Sequence, residues 1–437
     1  MWPYYPELLA RPVPRYTSFP TAAEFTECIG AEAQAESLSA ASGDVSLYVH
    51  IPYCSQLCWY CGCNTSAVGK VSRLSSYLTA LAREIDCVAA ATPTQLRTTR
   101  IAFGGGSPNA ISPIDFVRIV TMLTTQFRTT APLMSIEIDP RDFSDDWADT
   151  LHAVKIANVS LGVQTFAPAI QAAIGRIQPA ALVERMVGAL RAAGVTSLNF
   201  DLMYGLPGQT LADLDDSLDR TIALGVDRIA LFGYAHVPHM IARQRRIDAT
   251  ALPDQATRFA MAARGYQRLT AAGYVSVGFD HFALPHDPLA HAVRNGTLRR
   301  NFQGFTDDRA ETLIGLGASA ISQFPGVIVQ NEKNAGRYRM RLSQDRLAGA
   351  LGVRRSADDI ARGRAIVDIL SGRSTNIERW KTTDLRNQLA PFIYHGLVNL
   401  DGGYLRPTVA TLPYARSIAA LIDPYRAHAP QRFSTAV

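Results

Sequence analysis

"YVHIPYCSQLCWYCGCNT", residues 48–65, runs from a β-branched and aromatic strand pattern straight into a loop that holds four of the chain's six cysteines. Cys54, Cys58 and Cys61 follow C-x3-C-x2-C, and Cys63 adds C-x-C. A disulfide framework, a zinc site, a redox pair and an iron–sulfur site are the candidates. Structural zinc normally takes two C-x2-C knuckles a dozen or more residues apart, and the chain has no second knuckle. A redox pair needs only two thiols. Cysteine thiolates hold [4Fe–4S] clusters, usually four to a cluster, and three ligands leave one iron open to a substrate or cofactor. Cys63 is a possible fourth ligand, although its one-residue spacing from Cys61 argues against it. Cys28 and Cys87 read as ordinary buried thiols.

From about residue 46 the chain alternates short apolar runs with longer stretches of helical period, the pattern of repeated β-α units and a parallel sheet. Strands are expected at 47–53, 100–106, 135–139, 158–165, 198–206 and 228–235. Helices are expected at about 71–91, 112–127, 144–155, 179–193, 210–224 and 254–272. Ser112-Pro113 supplies a capping hydroxyl and a proline at the first helical position, and Gly194, Gly225 and Gly273 fall where helices should stop. Six units are too few for a closed eight-stranded barrel, so the expectation is an open sheet resembling three-quarters of one. Polar and glycine-rich residues collect at the C-terminal strand ends: the cysteines, "GGGSP" (104–108), "EIDP" (137–140), "GVQT" (162–165), "DLMYG" (201–205) and "YAHVP" (234–238). In barrel-type α/β proteins that end carries the active site. A single such cluster is more often a turn; six at one end argue for a site.

Composition sets the bounds. The 437 residues are 47% apolar with a net charge of +5, enough for a full core, without a run of five basic residues or a nucleic-acid motif. The opening "MWPYYPELLARPVPRY" lacks a basic region followed by an apolar one, and no stretch approaches the ~18 apolar residues of a membrane span. A soluble cytoplasmic protein with neither nucleic-acid nor membrane partner is expected, and in a reducing cytosol clustered cysteines bind metal or catalyse rather than pair.

The cysteine loop after the first strand, followed by "GGGSP", resembles the radical S-adenosylmethionine (SAM) superfamily. "RYTSFPTAAEF" (15–25), "SIEIDPR" (135–141), "LGVQTF" (161–166), "NFDLMYGLPGQT" (199–210), "YAHVP", "DHFALP" (280–285), "RNFQGFT" (300–306) and "GLGASAIS" (315–322) narrow the resemblance. Together, from about residue 11 to 335, they are similar to the oxygen-independent coproporphyrinogen III dehydrogenase family. The resemblance implies an α/β fold: an N-terminal extension (1–45) contributing to the cleft, a partial (βα)6 radical-SAM barrel (46–290) and a mainly helical C-terminal domain (291–437) covering the cleft.

It also implies roles. Cys54, Cys58 and Cys61 bind the [4Fe–4S] cluster, whose open iron takes one of two SAM molecules; reductive cleavage of that SAM yields a 5′-deoxyadenosyl radical. Tyr48, Gly105, Glu137 and Ile321 contact the cluster-bound SAM, and Tyr60, Gly106, Ser107, Gln164, Arg176, Asp201 and Ala235 contact the second. Glycine lets a backbone approach a ligand; Arg176 can pair with a carboxylate in two-pronged fashion. Taken singly, these carboxylates and arginines would read as surface ion pairs and the tyrosines as core. The implied substrate is a reduced tetrapyrrole with four propionates, two of which become vinyl groups in haem biosynthesis. Arg15, His281, Arg300 and Gln303 are its candidate contacts, and Tyr48 and Gln303 the candidate catalytic residues. Arg243, Arg245 and Arg246 add a further basic cluster. A low-potential electron donor such as flavodoxin or ferredoxin and a monomeric state complete the expectation. Departures from the family pattern lie at Ser107, Thr165, Arg299, Arg362-Gly363 and Ser371-Gly372. The last two pairs keep a paralogous methyltransferase, a haem-ring-opening enzyme and a non-catalytic haem carrier as alternatives; Cys63 and Asn64 count against the carrier.

Overall fold

In the computed structural model, which describes residues 2–69 and 71–428, all six expected strands form and lie parallel in sequence order. They are β1 (Asp44–Ile51), β2 (Arg97–Gly105), β3 (Leu133–Ile138), β4 (Asn158–Gln164), β5 (Ser197–Tyr204) and β6 (Arg228–Gly233). The intervening helices are α1 (Val71–Ala91), α2 (Pro113–Gln126), α3 (Asp145–Ala153), α4 (Ala180–Ala192) and α5 (Leu211–Ala223), and α6 (Gln255–Ala271) follows β6. Ser112 caps α2 by accepting the Asp115 N–H at 3.1 Å, as its sequence position suggests. Along β5 the pattern alternates: Leu198, Phe200, Leu202 and Tyr204 are buried, while Asn199, Asp201 and Met203, on the opposite face, are half-buried. That period of two places carboxylates in the barrel lumen and apolar side chains under the helices.

The sheet does not stop at residue 290. Four further strands, β9 (Thr312–Leu316), β10 (Ile321–Gln323), β11 (Val327–Asn331) and β12 (Gly349–Arg354), extend it beyond β1, while β7 (Val275–Val277) and β8 (His281–Ala283) extend it beyond β6. The order is β12-β11-β10-β9-β1-β2-β3-β4-β5-β6-β8-β7. β9 pairs parallel with β1, Tyr48 opposite Gly315, and Gly315 has no room for a side chain, since a Cβ there would lie 2.6 Å from the Ile321 carbonyl oxygen. The segment from 291 therefore shares the barrel's sheet up to 354 and turns mainly helical afterwards, with α7 (Ala357–Leu370), α8 (Thr383–Tyr394) and α9 (Ala415–Leu421). Residues 429–437 of that segment lie outside the described residues.

One continuous apolar core runs from Leu9 and Val13 through the barrel strands to Ile418 and Ile422. Burying side chains such as Leu9 and Leu38 stabilises by about 1.5–3 kcal/mol each. The N-terminal extension is tied to the C-terminal helices by polar contacts as well. Tyr5 N–H donates to Tyr414 Oη at 2.9 Å, the Tyr414 hydroxyl donates to the Pro3 carbonyl at 2.7 Å, and the Tyr16 hydroxyl donates to Asp423 at 3.0 Å. Among the described residues no helix is long and apolar enough to cross a membrane.

Candidate active site

The cysteine loop leaves the C-terminal end of β1 and is closed by a two-residue parallel bridge, Tyr53–Cys54 against Ser66–Ala67. Its middle is held from behind. Trp59 N–H donates to the Ile174 carbonyl at 3.0 Å, and the Arg246 guanidinium lies 4.7 Å from the Trp59 ring centroid. Arg243 donates to Thr65 Oγ1 at 3.0 Å and to the Cys63 carbonyl at 3.3 Å. Between these arginines sits Gln244, 1% exposed: its amide donates to the Tyr60 and Ala235 carbonyls at 2.9 and 3.1 Å and accepts the Val237 N–H at 2.6 Å. Arg243 and Arg246, two of the three arginines of the basic cluster, thus brace the loop, and the glutamine between them, which carries no motif of its own, ties the Tyr60 and Ala235 backbones together.

The loop brings its thiols within electrostatic reach of one another. Among the described residues no three His, Cys, Asp or Glu converge closely enough to hold one metal ion. Yet the thiols are near enough to influence one another, as an iron–sulfur cube spanning them requires. Burial, then Cys61 and Cys58, push the Cys54 thiol up to about 12, whereas hydrogen bonding from Cys63 brings Cys61 down to about 6 against the effect of burial. Cys58 is buried and its sulfur accepts from Arg176 at 3.2 Å and Arg141 at 3.3 Å, two cations suited to a thiolate. Cys63 is exposed, and its own thiol is raised first by that hydrogen bond to Cys61.

Around the loop the strand ends assemble the remaining cofactor candidates. A Cβ on Gly104 would fall 2.7 Å from the Glu137 carboxyl, on Gly105 2.6 Å from the His50 ring, and on Gly106 2.5 Å from the Tyr53 carbonyl. Gly105 also has φ +113°, so glycine is required there on both counts. Its N–H donates to Glu137 at 3.1 Å. Glu137 keeps contact with solvent although protein surrounds it, as expected of a side chain lining a chamber. That enclosure, with the nearby Asp201 carboxylate second, pushes it up to about 7. Two carboxylates sharing a chamber favour a cationic ligand, and a sulfonium meets that requirement.

Asp201 accepts from Ser160 at 3.1 Å and Asn199 at 2.8 Å. Gln164, buried at a register shift between β4 and β5, has φ +66°, an outlier of the kind that clusters at functional sites. Arg176 is 5% exposed and bridges Asp139, at 3.0 and 3.2 Å, to the Gly162 carbonyl and Cys58. Ser107 is buried and bonds Asn109 at 2.5 Å; Ile321 is half-buried at the start of β10.

Of the remaining candidates, Arg15, His281 and Arg300 come together around Phe232 and Phe305, whereas Tyr48 stands beside His50 and the glycines. Tyr48 is buried, its hydroxyl 3.1 Å from His50 Nδ1 and its ring edge-on to Phe302 at 4.7 Å, while Gln303, next to Phe302, is exposed. His281 Nδ1 lies 2.6 Å from Asp280. Arg300 donates to the carbonyls of Tyr16 at 3.2 Å and Arg15 at 3.3 Å, and Arg15 donates to the Gly233 carbonyl at 2.8 Å. A cavity of about 750 Å³ opens between this wall and α7, lined by Arg299, Arg300, Arg309, Arg355, Arg364 and Arg373 against only Asp308, Glu311 and Asp368. Gly363, one of the departures from the family pattern, lines it too, opposite Phe19, so that this departure shapes the cavity wall. Arg258 and Arg416, which no motif singles out, line a second, smaller cavity nearby.

A partial barrel with three cysteines on the loop after its first strand and glycines after its second defines a radical SAM enzyme, and the radical SAM superfamily model matches residues 48–221. It works with a [4Fe–4S] cluster and SAM. The chain belongs to the oxygen-independent coproporphyrinogen III oxidase family. It is 39% identical to the oxygen-independent coproporphyrinogen III oxidase of Bradyrhizobium diazoefficiens over 97% of each chain, and 34% identical to that of Escherichia coli K12 over 94% of this chain and 93% of the relative. The solved structure of coproporphyrinogen III oxidase (HemN) from Escherichia coli, a radical SAM enzyme, superposes with a TM-score of 0.89 at 32% identity, covering 97% of this chain and 99% of that one.

Proposed function

We propose that the protein converts coproporphyrinogen III to protoporphyrinogen IX without oxygen, turning two propionate arms into vinyl groups in haem biosynthesis. The observation that carries this reading is the near full-length correspondence with coproporphyrinogen III oxidases, which extends through the C-terminal region lining the large cavity. That cavity lies within the usual range of roughly 300–1,000 Å³ for ligand sites, and its arginine excess suits a substrate with four carboxylates. The cluster and SAM, when bound, supply removal of a hydrogen atom from the β-carbon of a propionate; loss of carbon dioxide and one electron to an acceptor then balances the arm to a vinyl group.

The chain's own residues prepare that step. Cys54, Cys58 and Cys61 hold the cluster. Gly105 and Glu137, with Tyr48 and Ile321, receive the SAM bound to it. Tyr60, Gly106, Ser107, Gln164, Arg176, Asp201 and Ala235 receive a second. Arg15, His281, Arg300 and Gln303 orient the tetrapyrrole against Tyr48. The reading includes a cytoplasmic monomer that draws electrons from flavodoxin or ferredoxin. Anaerobic incubation of the reconstituted protein with SAM, a reductant and coproporphyrinogen III should give a product lacking two carboxyl groups through an intermediate lacking one. A methylated product with S-adenosylhomocysteine, an opened ring, or tight haem binding without carbon dioxide release would overturn it.

A further inference from the structure

The face that α1 turns to the core carries Tyr77, Leu81, Ile85 and Val88 at helical spacing, and among them one fully buried carboxylate, Glu84. Packing alone would take an apolar side chain there. Glu84 instead accepts hydrogen bonds from three neutral donors: Gly317 N–H at 2.5 Å, the Asn331 side-chain amide at 2.6 Å and the Tyr338 hydroxyl at 2.6 Å. Asn331 also donates to the Gly317 carbonyl at 2.9 Å. Two turns earlier on the same face, the Tyr77 hydroxyl donates to the His50 carbonyl at 2.7 Å and accepts the Ala318 N–H at 3.1 Å.

These bonds converge on the turn 317–320 between β9 and β10, whose backbone is left-handed at Gly317 (φ +99°) and at Ser319 (φ +66°). A Cβ on Gly317 would lie 2.7 Å from the Tyr77 hydroxyl. The turn in its place meets the site. Ser319 Oγ lies 3.3 Å from His50 Nε2, and His50 Nδ1 lies 3.1 Å from the Tyr48 hydroxyl. The same imidazole occupies the space a Cβ on Gly105 would need, and Ile321 follows directly after the turn. A carboxylate held away from water and a left-handed serine are both costly, and they persist only where the surroundings define them completely. A polar network satisfied at every member fixes one arrangement of the groups it joins.

We propose that Glu84, with Tyr77, is a positioning residue of the SAM site: together they clamp the 317–320 turn against the end of β1, so that Ile321, Tyr48 and Gly105 close on the SAM bound to the cluster. The inference rests on the proposed reading that these residues, with Glu137, receive that SAM, and is independent of which tetrapyrrole is the substrate. The carboxylate of Glu84 and the hydroxyl of Tyr77 engage groups of the protein itself, so both act through the turn.

The test titrates SAM into the anaerobically reconstituted, reduced protein and follows the cluster's electron paramagnetic resonance, which reports the SAM bound to it. Hydrogen–deuterium exchange of the peptide 315–323 is read on the same variants without SAM. Glu84→Leu, similar in size but without an acceptor, and Tyr77→Phe should each accelerate that exchange. Both should weaken SAM by about tenfold or more, the scale of one lost contact, with iron per chain near that of the wild type. Glu84→Gln keeps an oxygen for Gly317 and Tyr338 but sets a second amide against Asn331, so it should fall between, and it serves if the leucine variant fails to fold. Leu81→Ala removes apolar packing from the same helix face and should lower thermal stability while leaving SAM affinity unchanged. Unchanged affinity in the folded Glu84 variants, or an equal loss in Leu81→Ala, overturns the positioning role. Glu137→Gln separates the two readings. If it weakens SAM and the Glu84 variants do not, the positioning role fails alone; if it binds SAM normally and the Glu84 variants do not, the positioning role stands and the proposed contact at Glu137 fails.

Discussion

Replacing Gln244 with leucine removes three hydrogen bonds at once: those from its amide to the Tyr60 and Ala235 carbonyls and that from Val237 N–H to its side-chain oxygen. Leucine is apolar and of similar size, so the loss is chiefly polar. Each bond contributes about 1 kcal/mol net, and leaving its partner unpaired costs about 1–3 kcal/mol when water cannot reach it. Tyr60, Ala235 and Val237 are half-buried, which keeps each loss near the lower figure and the total near 3 kcal/mol. At 1.4 kcal/mol per factor of ten, local opening becomes roughly a hundredfold more frequent. Hydrogen–deuterium exchange should therefore accelerate by that order in the peptide spanning 235–246, which contains the Val237 amide. Exchange in 58–66 should rise with it, and iron per chain after reconstitution should fall. Unchanged exchange at 235–246 in a folded Gln244→Leu variant would refute the idea that this glutamine ties the cysteine loop to the end of β6.

Two further outcomes concern the same loop. Cys58→Ala should abolish cluster assembly while Cys63→Ser retains most of the iron, because Cys58 is buried under two arginines whereas Cys63 is exposed; iron and sulfide analysis after anaerobic reconstitution decides it, and equal loss in both variants would sink the three-ligand model. Arg176→Ala should lower turnover by a hundredfold or more on the scale of about 3 kcal/mol for a lost enclosed charge contact, with cluster content near that of the wild type, since Arg141 still pairs with Asp139 at 2.6 Å. Normal activity in that variant would remove Arg176 from the site.

The parts of the fold with a local signal were legible. Each barrel strand is a short apolar run and each helix carries its 3.6-residue period and its cap, so β1–β6 and α1–α6 fall within a few residues of where the pattern places them. The extension through β9–β12 has no such signal, because "TLIGL" (312–316) becomes a strand only by pairing with β1, far away in the chain. The glycine triplet and the cysteine spacing pointed to the site through their chemistry. Gln244 did not, since a lone glutamine in "RQRR" reads as surface and its burial arises from the loop folding back over it. Arg258 and Arg416 were hidden for the same reason: both lie on helices, and it is the N-terminal extension closing over α6 and α9 that encloses them.

The lumen is sorted by charge, and the sorting follows the order of strands. Glu137 on β3 and Asp201 on β5 supply the negative side, beside the cysteine loop, where a sulfonium would lie. Arg15, Arg258, Arg300 and Arg416 supply the positive side, beyond β6, where carboxylates would lie. Left in direct contact, these carboxylates and arginines would pair with each other. His281 on β8 and its partner Asp280 stand between them: His281 bears electrostatically on Asp201, and Asp280 on Arg300 and Arg416. The pair thus gives each side a local partner without joining the two. On the proposed function, a tetrapyrrole held by its arms on the positive side would present its macrocycle toward the negative side, where a sulfonium would lie. On that reading a propionate would near the cofactor only when other propionates are anchored, so that recognition of the arms and selection of the reacting carbon would be one event.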